Sequence, residues 1–348
     1  MKKVKVLCVM SDATSVGHFR IGWPSAYIRD NYDDIEITIK RIENIMVWDM
    51  LALKQFDVIH FNRLFGYIES VDELFPMLQS HGIKLVMDID DHWDIPKEFT
   101  AKQTMLDTLG GSMDGILNII RKVDCVTTTT EFFRKELLEL NKNVVVLPNA
   151  IDMSHRMWED AVESEVVRIG WLGSAQRHYD LLKLKKSIRK LYADPELKGK
   201  FTITQCGGEE VNNEIFEGDG FVWRKQLPPF EYGVYYKDID ISLAPLKDNI
   251  YNRCKSELKM VEAGMNKKVF VCQDYGIYHE HISDGVNGFL IDDDLKWYKV
   301  LKNLILNKDL RDNVSEKLNQ YVKDKFGMEQ SAKKRIEFYK NLCDGKSN

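Results

Sequence analysis

Short apolar runs rich in Val and Ile recur along the chain, separated by polar stretches in which apolar positions return every three or four residues. The first pattern predicts β-strands buried on both faces, and the second predicts amphipathic helices laid over them. Strands are expected at Val4–Met10, Ile35–Ile39, Val58–Phe61, Lys84–Ile89, Cys125–Thr128 and Val144–Leu147. A second series is expected at Val167–Leu172, Phe201–Cys206, Ile239–Ala244, Val269–Cys272 and Phe289–Ile291. Helical periodicity fills the gaps, as at Phe132–Leu140, Leu181–Tyr192 and Trp297–Leu306. Two such series predict an α/β protein of two doubly wound, Rossmann-like domains.

The joint is expected at Pro148–Asp152, where a strand ends in turn-forming residues before the polar stretch Met153–Glu165. That divides the chain into 1–152, 153–327 and a C-terminal segment 328–348. The last segment reads as an amphipathic helix (Ala332, Ile336, Phe338, Tyr339 and Leu342 apolar) that packs back on the first domain. No Gly-rich or charge-block linker intervenes, so the two domains are expected to face each other across a cleft. A length of 348 residues suits two domains of ordinary size.

Bulk composition removes several classes. With 44% hydrophobic and 30% charged residues the chain reads as soluble and globular, and no apolar run approaches the roughly 20 residues of a membrane span. The opening MKKVKVLCVMSD turns acidic after a short apolar core, so it is read as a first strand rather than a leader. Cys8, Cys125, Cys206, Cys254, Cys272 and Cys343 form no C-x-x-C pair, which fits a reducing cytoplasm and no structural zinc. A net charge of -5 gives no general attraction to nucleic acid or anionic lipid, and leaves room for a local basic groove.

Candidate chemistry sits where strands end. GHFR (Gly17 to Arg20) follows the first strand, at the sheet edge where doubly wound folds bind ligands. Gly17 would let backbone approach a ligand, and His18 and Arg20 reach anionic or hydroxyl groups; a plain strand–helix turn explains the same residues. No G-x-G-x-x-G follows, which disfavours a dinucleotide. DIDDHWDIP (Asp88 to Pro96) is the densest acidic cluster. Asp90, Asp91 and His92, together with His18 of the first loop, are candidates for a general base on an acceptor rim; a D-x-D metal site and simple turn capping are the other readings of the acidic cluster. IGWLGSAQRHYD places Gly173, Ser174 and Arg177 ahead of a helix start, a pattern suited to an anion. In FVWRKQLPPFEY, Arg224 precedes a proline-fixed loop that either flanks a nucleobase or lies on the surface.

The richest stretch is NIYNRCKSELKMVEAG, from Asn249 to Gly264. Lys255, Lys259 and Glu262 are spaced by four and three, so a continuous helix would place them on one face. Asn252 and Arg253 add polar groups just before them. Two ammonium groups beside a carboxylate suit a diphosphate joined to sugar hydroxyls, and a solvated face of salt bridges is the bland alternative.

With these residues in view, the chain resembles the GT-B glycosyltransferases that use nucleoside-diphosphate sugars, the family 4 type in particular. IGWLGS, YYKDIDISLAPL, NRCKSELKMVEAG, ISDGVNGFL and LPNAID occur in that family's order, and the resemblance covers nearly the whole chain. It implies a donor, most simply a UDP-sugar, held mainly by the second domain without an obligatory metal. It further implies that Glu262 binds ribose hydroxyls, Lys255 and Lys259 the diphosphate, and Gly173 and Ser174 the phosphate side. The retaining members carry a second glutamate eight residues before the ribose-binding one; here that position is Cys254, with Asp248 or Asn249 as stand-ins. DNIYN and VTTTTEFFRKEL are also similar to phage-encoded enzymes, including those that glucosylate hydroxymethylated DNA. Such an acceptor would need a basic groove, for which Arg20, Arg63, Lys97, Lys102, Arg121 and Lys122 are scattered candidates. Saccharide, lipid-linked glycan and modified DNA are thus all open as acceptors. An epimerase and a non-catalytic binder remain rival classes, and oligomeric state is unread.

Overall fold

The computed structural model describes residues 3–12, 15–44, 50–65, 71–98, 113–154, 158, 162–173, 178–207, 213–216, 218–225 and 227–345. Twelve strands form two six-stranded sheets, all parallel wherever paired. The first contains β1 (Val4–Met10), β2 (Ile35–Arg41), β3 (Val58–Asn62), β4 (Lys84–Asp88), β5 (Cys125–Thr128) and β6 (Val144–Val146). Its order is β2-β1-β3-β4-β5-β6. The second contains β7 (Val167–Leu172), β8 (Phe201–Cys206), β9 (Phe221–Arg224), β10 (Ile241–Ala244), β11 (Val269–Gln273) and β12 (Phe289–Ile291). Its order, β9-β8-β7-β10-β11-β12, is that of the dinucleotide-binding folds, with the chain reversing direction between β7 and β10. Ligands in such sheets bind beyond the carboxyl ends of the strands at that reversal, and β1/β3 marks the matching point of the first sheet.

The central strands are apolar on both sides because helices cover both faces; β3 and β11 are buried at every residue. The C-terminal helix, Met328–Cys343, seals the first sheet rather than the second. Its Ala332, Ile336, Phe338 and Tyr339 join Val6, Cys8, Ile35 and Val86 in one core. Each such large apolar side chain contributes roughly 1.5–3 kcal/mol by leaving water. Tyr339 also meets His60 Nδ1 at 2.7 Å beneath the sheet, while His60 Nε2 meets Thr127 at 3.0 Å.

The chain crosses between the lobes twice, and the two crossings pair. Ile151 donates its N–H to Phe326 O at 2.8 Å, and Met328 N–H donates to Ile151 O at 2.9 Å. A hinge built this way holds both connectors on one side of the molecule and leaves the strand ends of the two sheets facing across the other.

Three local expectations differ. FVWR was read as loop but forms β9, an edge strand paired only with β8, alternately half-buried and exposed. The Leu181–Tyr192 periodicity is interrupted: a 3-10 turn at Leu182–Leu184 precedes the helix Lys185–Ala193. Lys255 lies between two helices, Ile250–Arg253 and Leu258–Met265, so it does not share a helix face with Lys259 and Glu262. Among the described residues, no helix is long and apolar enough to cross a membrane.

Candidate functional site

A cavity of about 200 Å³ opens where the strand ends of the two sheets meet. Val16 and the acidic pair Asp90 and Asp91 line it from the first lobe. From the second lobe come Trp171 at the end of β7, Ala244 to Leu246 after β10, and Lys255 and Lys259. Both contributing sheets therefore present their carboxyl edges, which is where the reversal in strand order leaves a crevice.

Helix Leu258–Met265 shapes the second-lobe wall. Its Met260, Val261, Ala263 and Gly264 are buried against the sheet and the Lys308–Lys325 helix, where Gly264 admits Val322 and Leu318. That packing turns Glu262 inward. Its Oε2 accepts a hydrogen bond from Tyr236 at 3.1 Å, and the residue is only 7% exposed. Burial pushes its carboxyl up to about 7, opposed by Lys259 and by the Tyr236 hydroxyl. One turn earlier, Lys259 reaches the Leu172 carbonyl at the end of β7 and lies 5.8 Å from the Trp171 ring. The cavity wall thus holds an ammonium group, and behind it, outside the lining, lies a carboxyl raised to about 7 by burial.

The opposite wall is an ion-pair cluster. Arg63 sits at φ 61° just after β3, a left-handed conformation that is rare outside glycine. The cluster rewards it: Arg63 Nη2 donates to Asp90 at 2.9 Å and to Asp91 at 3.3 Å. Burial alone would disfavour the Arg63 charge, but Asp90 and Asp91 raise its pKa further. Asp90 moves the other way from an ordinary ion-paired acid: burial raises it, Arg63 opposes, and Asp91 adds repulsion. Lys255 pairs with Asp91 across the cleft and donates to Tyr251 Oη at 3.0 Å. The ion pair ties the two walls together.

No protein-family model matches the chain, and no curated protein matches it in sequence. Solved structures do. A glycosyltransferase from Rickettsia africae superposes with a TM-score of 0.64 at 14% identity, covering 98% of this chain and 99% of that one. Sucrose-phosphate synthase from Thermosynechococcus elongatus gives 0.69 at 12% identity, over 99% and 100% of the two chains. Anabaena HepE, solved in complex with UDP-glucose, gives 0.65 at 12% identity over 97% and 99%. At such identities the likeness speaks of architecture, and over nearly whole chains it decides it. The chain has the GT-B fold.

The remaining candidates divide sharply within the GT-B frame. Gly17 is a close-packed turn: a Cβ there would lie 2.2 Å from the Asp12 carbonyl oxygen. Arg20 does not face the cleft. It is 1% exposed and holds Asp88 through two hydrogen bonds of 2.9 and 2.7 Å, with Leu147 O and Asn149 as further acceptors. It ties β4 to the start of the hinge, so its anion-binding role is withdrawn. His18 packs against Trp23 and Phe230, and burial lowers its pKa. His92 is sandwiched near Trp93 and Phe133, accepts the Asp94 N–H on Nδ1, and is pushed down to about 4 by burial. A ring so placed is a weak base, and it does not line the cavity.

On the second lobe, Asn252 is buried and donates to Asp180 and Lys247 O, both at 2.9 Å, a structural role. Arg253 pairs with Asp248 at 3.0 Å and bonds Tyr275, away from the cavity lining. Arg224 pairs with Asp238 at 2.8 Å on the edge strand, also outside it. Neither therefore reaches the cavity between the lobes. Gly173 closes β7, its N–H on Cys206 O, while Ser174 and Arg177 lie outside the described residues. Cys254 occupies the expected glutamate position, but its side chain is buried in the first lobe's core together with Tyr251. Among the described residues, no cluster of three or more His, Cys, Asp or Glu is arranged to hold a metal.

One residue escaped sequence reading. Glu257 is 1% exposed, accepts the Asn149 N–H at 3.1 Å, and is raised to about 7 by burial. It fastens the start of the helix Leu258–Met265 to the segment joining the lobes. Nothing in the local pattern distinguishes it from a solvated glutamate.

Proposed function

We propose that the protein is a glycosyltransferase that moves a sugar from a nucleoside diphosphate, most simply UDP, to an acceptor hydroxyl in the cleft between the lobes. The observation that carries the reading is the placement of Lys255 and Lys259 on one cavity at facing strand ends, with buried Glu262 one turn along the helix from Lys259. Lys255 and Lys259 would bind the diphosphate and stabilise the charge that develops on it as the glycosidic bond breaks. Glu262, fixed by Tyr236, would accept hydrogen bonds from the ribose hydroxyls. HepE, of the same fold, was solved with UDP-glucose, which supports the choice of donor.

Transfer with retention is favoured by the state of the first-lobe bases. Asp91 is engaged by two cations, and His18 and His92 are depressed by burial. The leaving phosphate is then the natural acceptor of the incoming hydroxyl's proton. Asp90 supports a second reading, because its raised pKa makes it a better base and would permit inversion. Modified DNA loses support as an acceptor, since Arg20 and Arg63 are buried against aspartates.

Incubating the protein with UDP-sugars and a glycan panel, and following the anomeric proton by NMR, tests both points. Product with the donor's configuration supports retention. An epimeric UDP-sugar without UDP release would overturn transfer altogether.

A further inference from the structure

A second cavity, of about 270 Å³, lies beside the hinge rather than among the donor residues. It runs along the helix Trp23–Asn31 and is bounded on the other side by Ala150, Ile151, Asp152, Ser154 and Trp158. Its lining is aromatic and acidic: Trp23, Tyr27, Trp158 and Phe19 stand with Asp152 and Asn31. The aromatic walls are held by their neighbours. Phe19 meets Trp23 edge-on at 4.5 Å, and the Trp158 indole N–H donates to the Asp152 carbonyl at 2.8 Å. The polar groups are ordered too: Asp152 accepts the Ser154 N–H and O–H, and Asn31 donates to Tyr27 O at 2.9 Å.

Aromatic faces flanked by carboxylate and amide groups match a neutral pyranose. The rings cover the C–H face of the sugar while the carboxylate and amide bond its hydroxyls. The carboxylates repel phosphate, so a nucleotide or nucleic-acid backbone is disfavoured here. The size, just below the roughly 300–1,000 Å³ common for ligand sites, suits a single ring. The cavity shares no lining residue with the cleft cavity, but an aromatic contact at its wall spans the two lobes. Trp23 lines it on one side and on the other stacks on His18 and meets Phe230, which reaches over from the second lobe.

We infer that this cavity is a saccharide-binding subsite that holds one sugar ring of the acceptor beside the cleft. Naming the ligand an acceptor rests on the transferase reading; the binding of a sugar there does not. The ring can belong to a free glycan or to a lipid-linked one, and both share the recognised chemistry.

Saturation-transfer NMR on the full chain tests this with methyl and octyl glycosides of glucose, galactose, mannose and N-acetylglucosamine. At least one methyl glycoside should show saturation, and Trp158→Ala and Asn31→Ala should each reduce the signal at least roughly fivefold. UDP affinity should stay within twofold of wild type in both variants, which also shows that they are folded. Stronger binding of an octyl glycoside than its methyl partner assigns a lipid-linked source. No saturation from any glycoside, or undiminished signal in both variants, overturns the subsite. Failure of UDP to bind the wild type instead overturns the transferase reading and leaves the sugar result to stand or fall by itself.

Discussion

Protonation of Glu262 should govern donor affinity around neutral pH. Its carboxyl is raised to about 7 by burial, with only Lys259 and the Tyr236 hydroxyl opposing. A ribose diol needs the ionised form, which accepts two hydrogen bonds, whereas the acid resembles glutamine. If bound UDP keeps the group ionised, affinity falls tenfold for each pH unit below that value. Between pH 8.5 and 5.5 that is a loss of about 30-fold from this residue, taking the titration at about 7. UDP's own terminal phosphate, with a pKa near 6, adds about fourfold over the same range. Glu262→Gln separates the two, because every other titration is common to both proteins. Calorimetric titration of UDP should find the variant weaker by roughly 10- to 100-fold at pH 8.5, the value of hydrogen bonds to a charged group. Its pH dependence should be only the phosphate's, and the two curves should converge at pH 5.5. Parallel curves for the two proteins, or equal affinity at pH 8.5, would refute the assignment.

Other consequences follow from the ion-pair geometry. Arg20→Met leaves Asp88 charged and buried, so urea denaturation should show a loss of about 3–5 kcal/mol; a loss below 1 would contradict the structural role of this pair. Glu257 has a folded pKa of about 7, above its ordinary 4.5, so its contribution to stability is complete below pH 4.5 and is lost as pH rises through 7. Glu257→Gln should therefore match wild type near pH 4.5 and exceed it above pH 7.5 by up to about 3 kcal/mol; a gap independent of pH would show the shift to be absent. Asp91 competes with a diphosphate for Lys255, so Asp91→Asn should tighten UDP binding several-fold, and weaker binding would assign Asp91 to the donor instead.

Much of the architecture was legible because sheets covered on both faces need strongly apolar strands, and Leu85–Met87 of β4 and Val269–Cys272 of β11 are written that way, while His60 and Arg168 interrupt β3 and β7 without hiding them. β9 was missed because an edge strand needs only one buried face, and its Phe221 and Trp223 alternate with exposed Val222 and Arg224. The proximity of Lys255 and Lys259, which line one cavity with Glu262 one turn further along the helix, was legible, although Lys255 shares no helix face with the other two. Arg20 shows the limit. Its motif sits in a loop-like context, yet its partner Asp88 lies 68 residues away, and only the folded sheet brings the two together inside the core. Cys254 is similar: a position expected to face a sugar is instead consumed by packing of the 250–254 turn into the other lobe. Long-range burial of this kind leaves no local periodicity to read.

The central claim is that the cavity between the lobes takes the diphosphate on Lys255 and Lys259. Lysine acetylation read by mass spectrometry, with and without saturating UDP, tests it most directly. The account predicts slowed modification of Lys255 and Lys259 in the presence of UDP, with surface Lys198 unchanged. Equal labelling of Lys255 and Lys259 in both conditions, or protection confined to a lysine elsewhere such as Lys268, would contradict it.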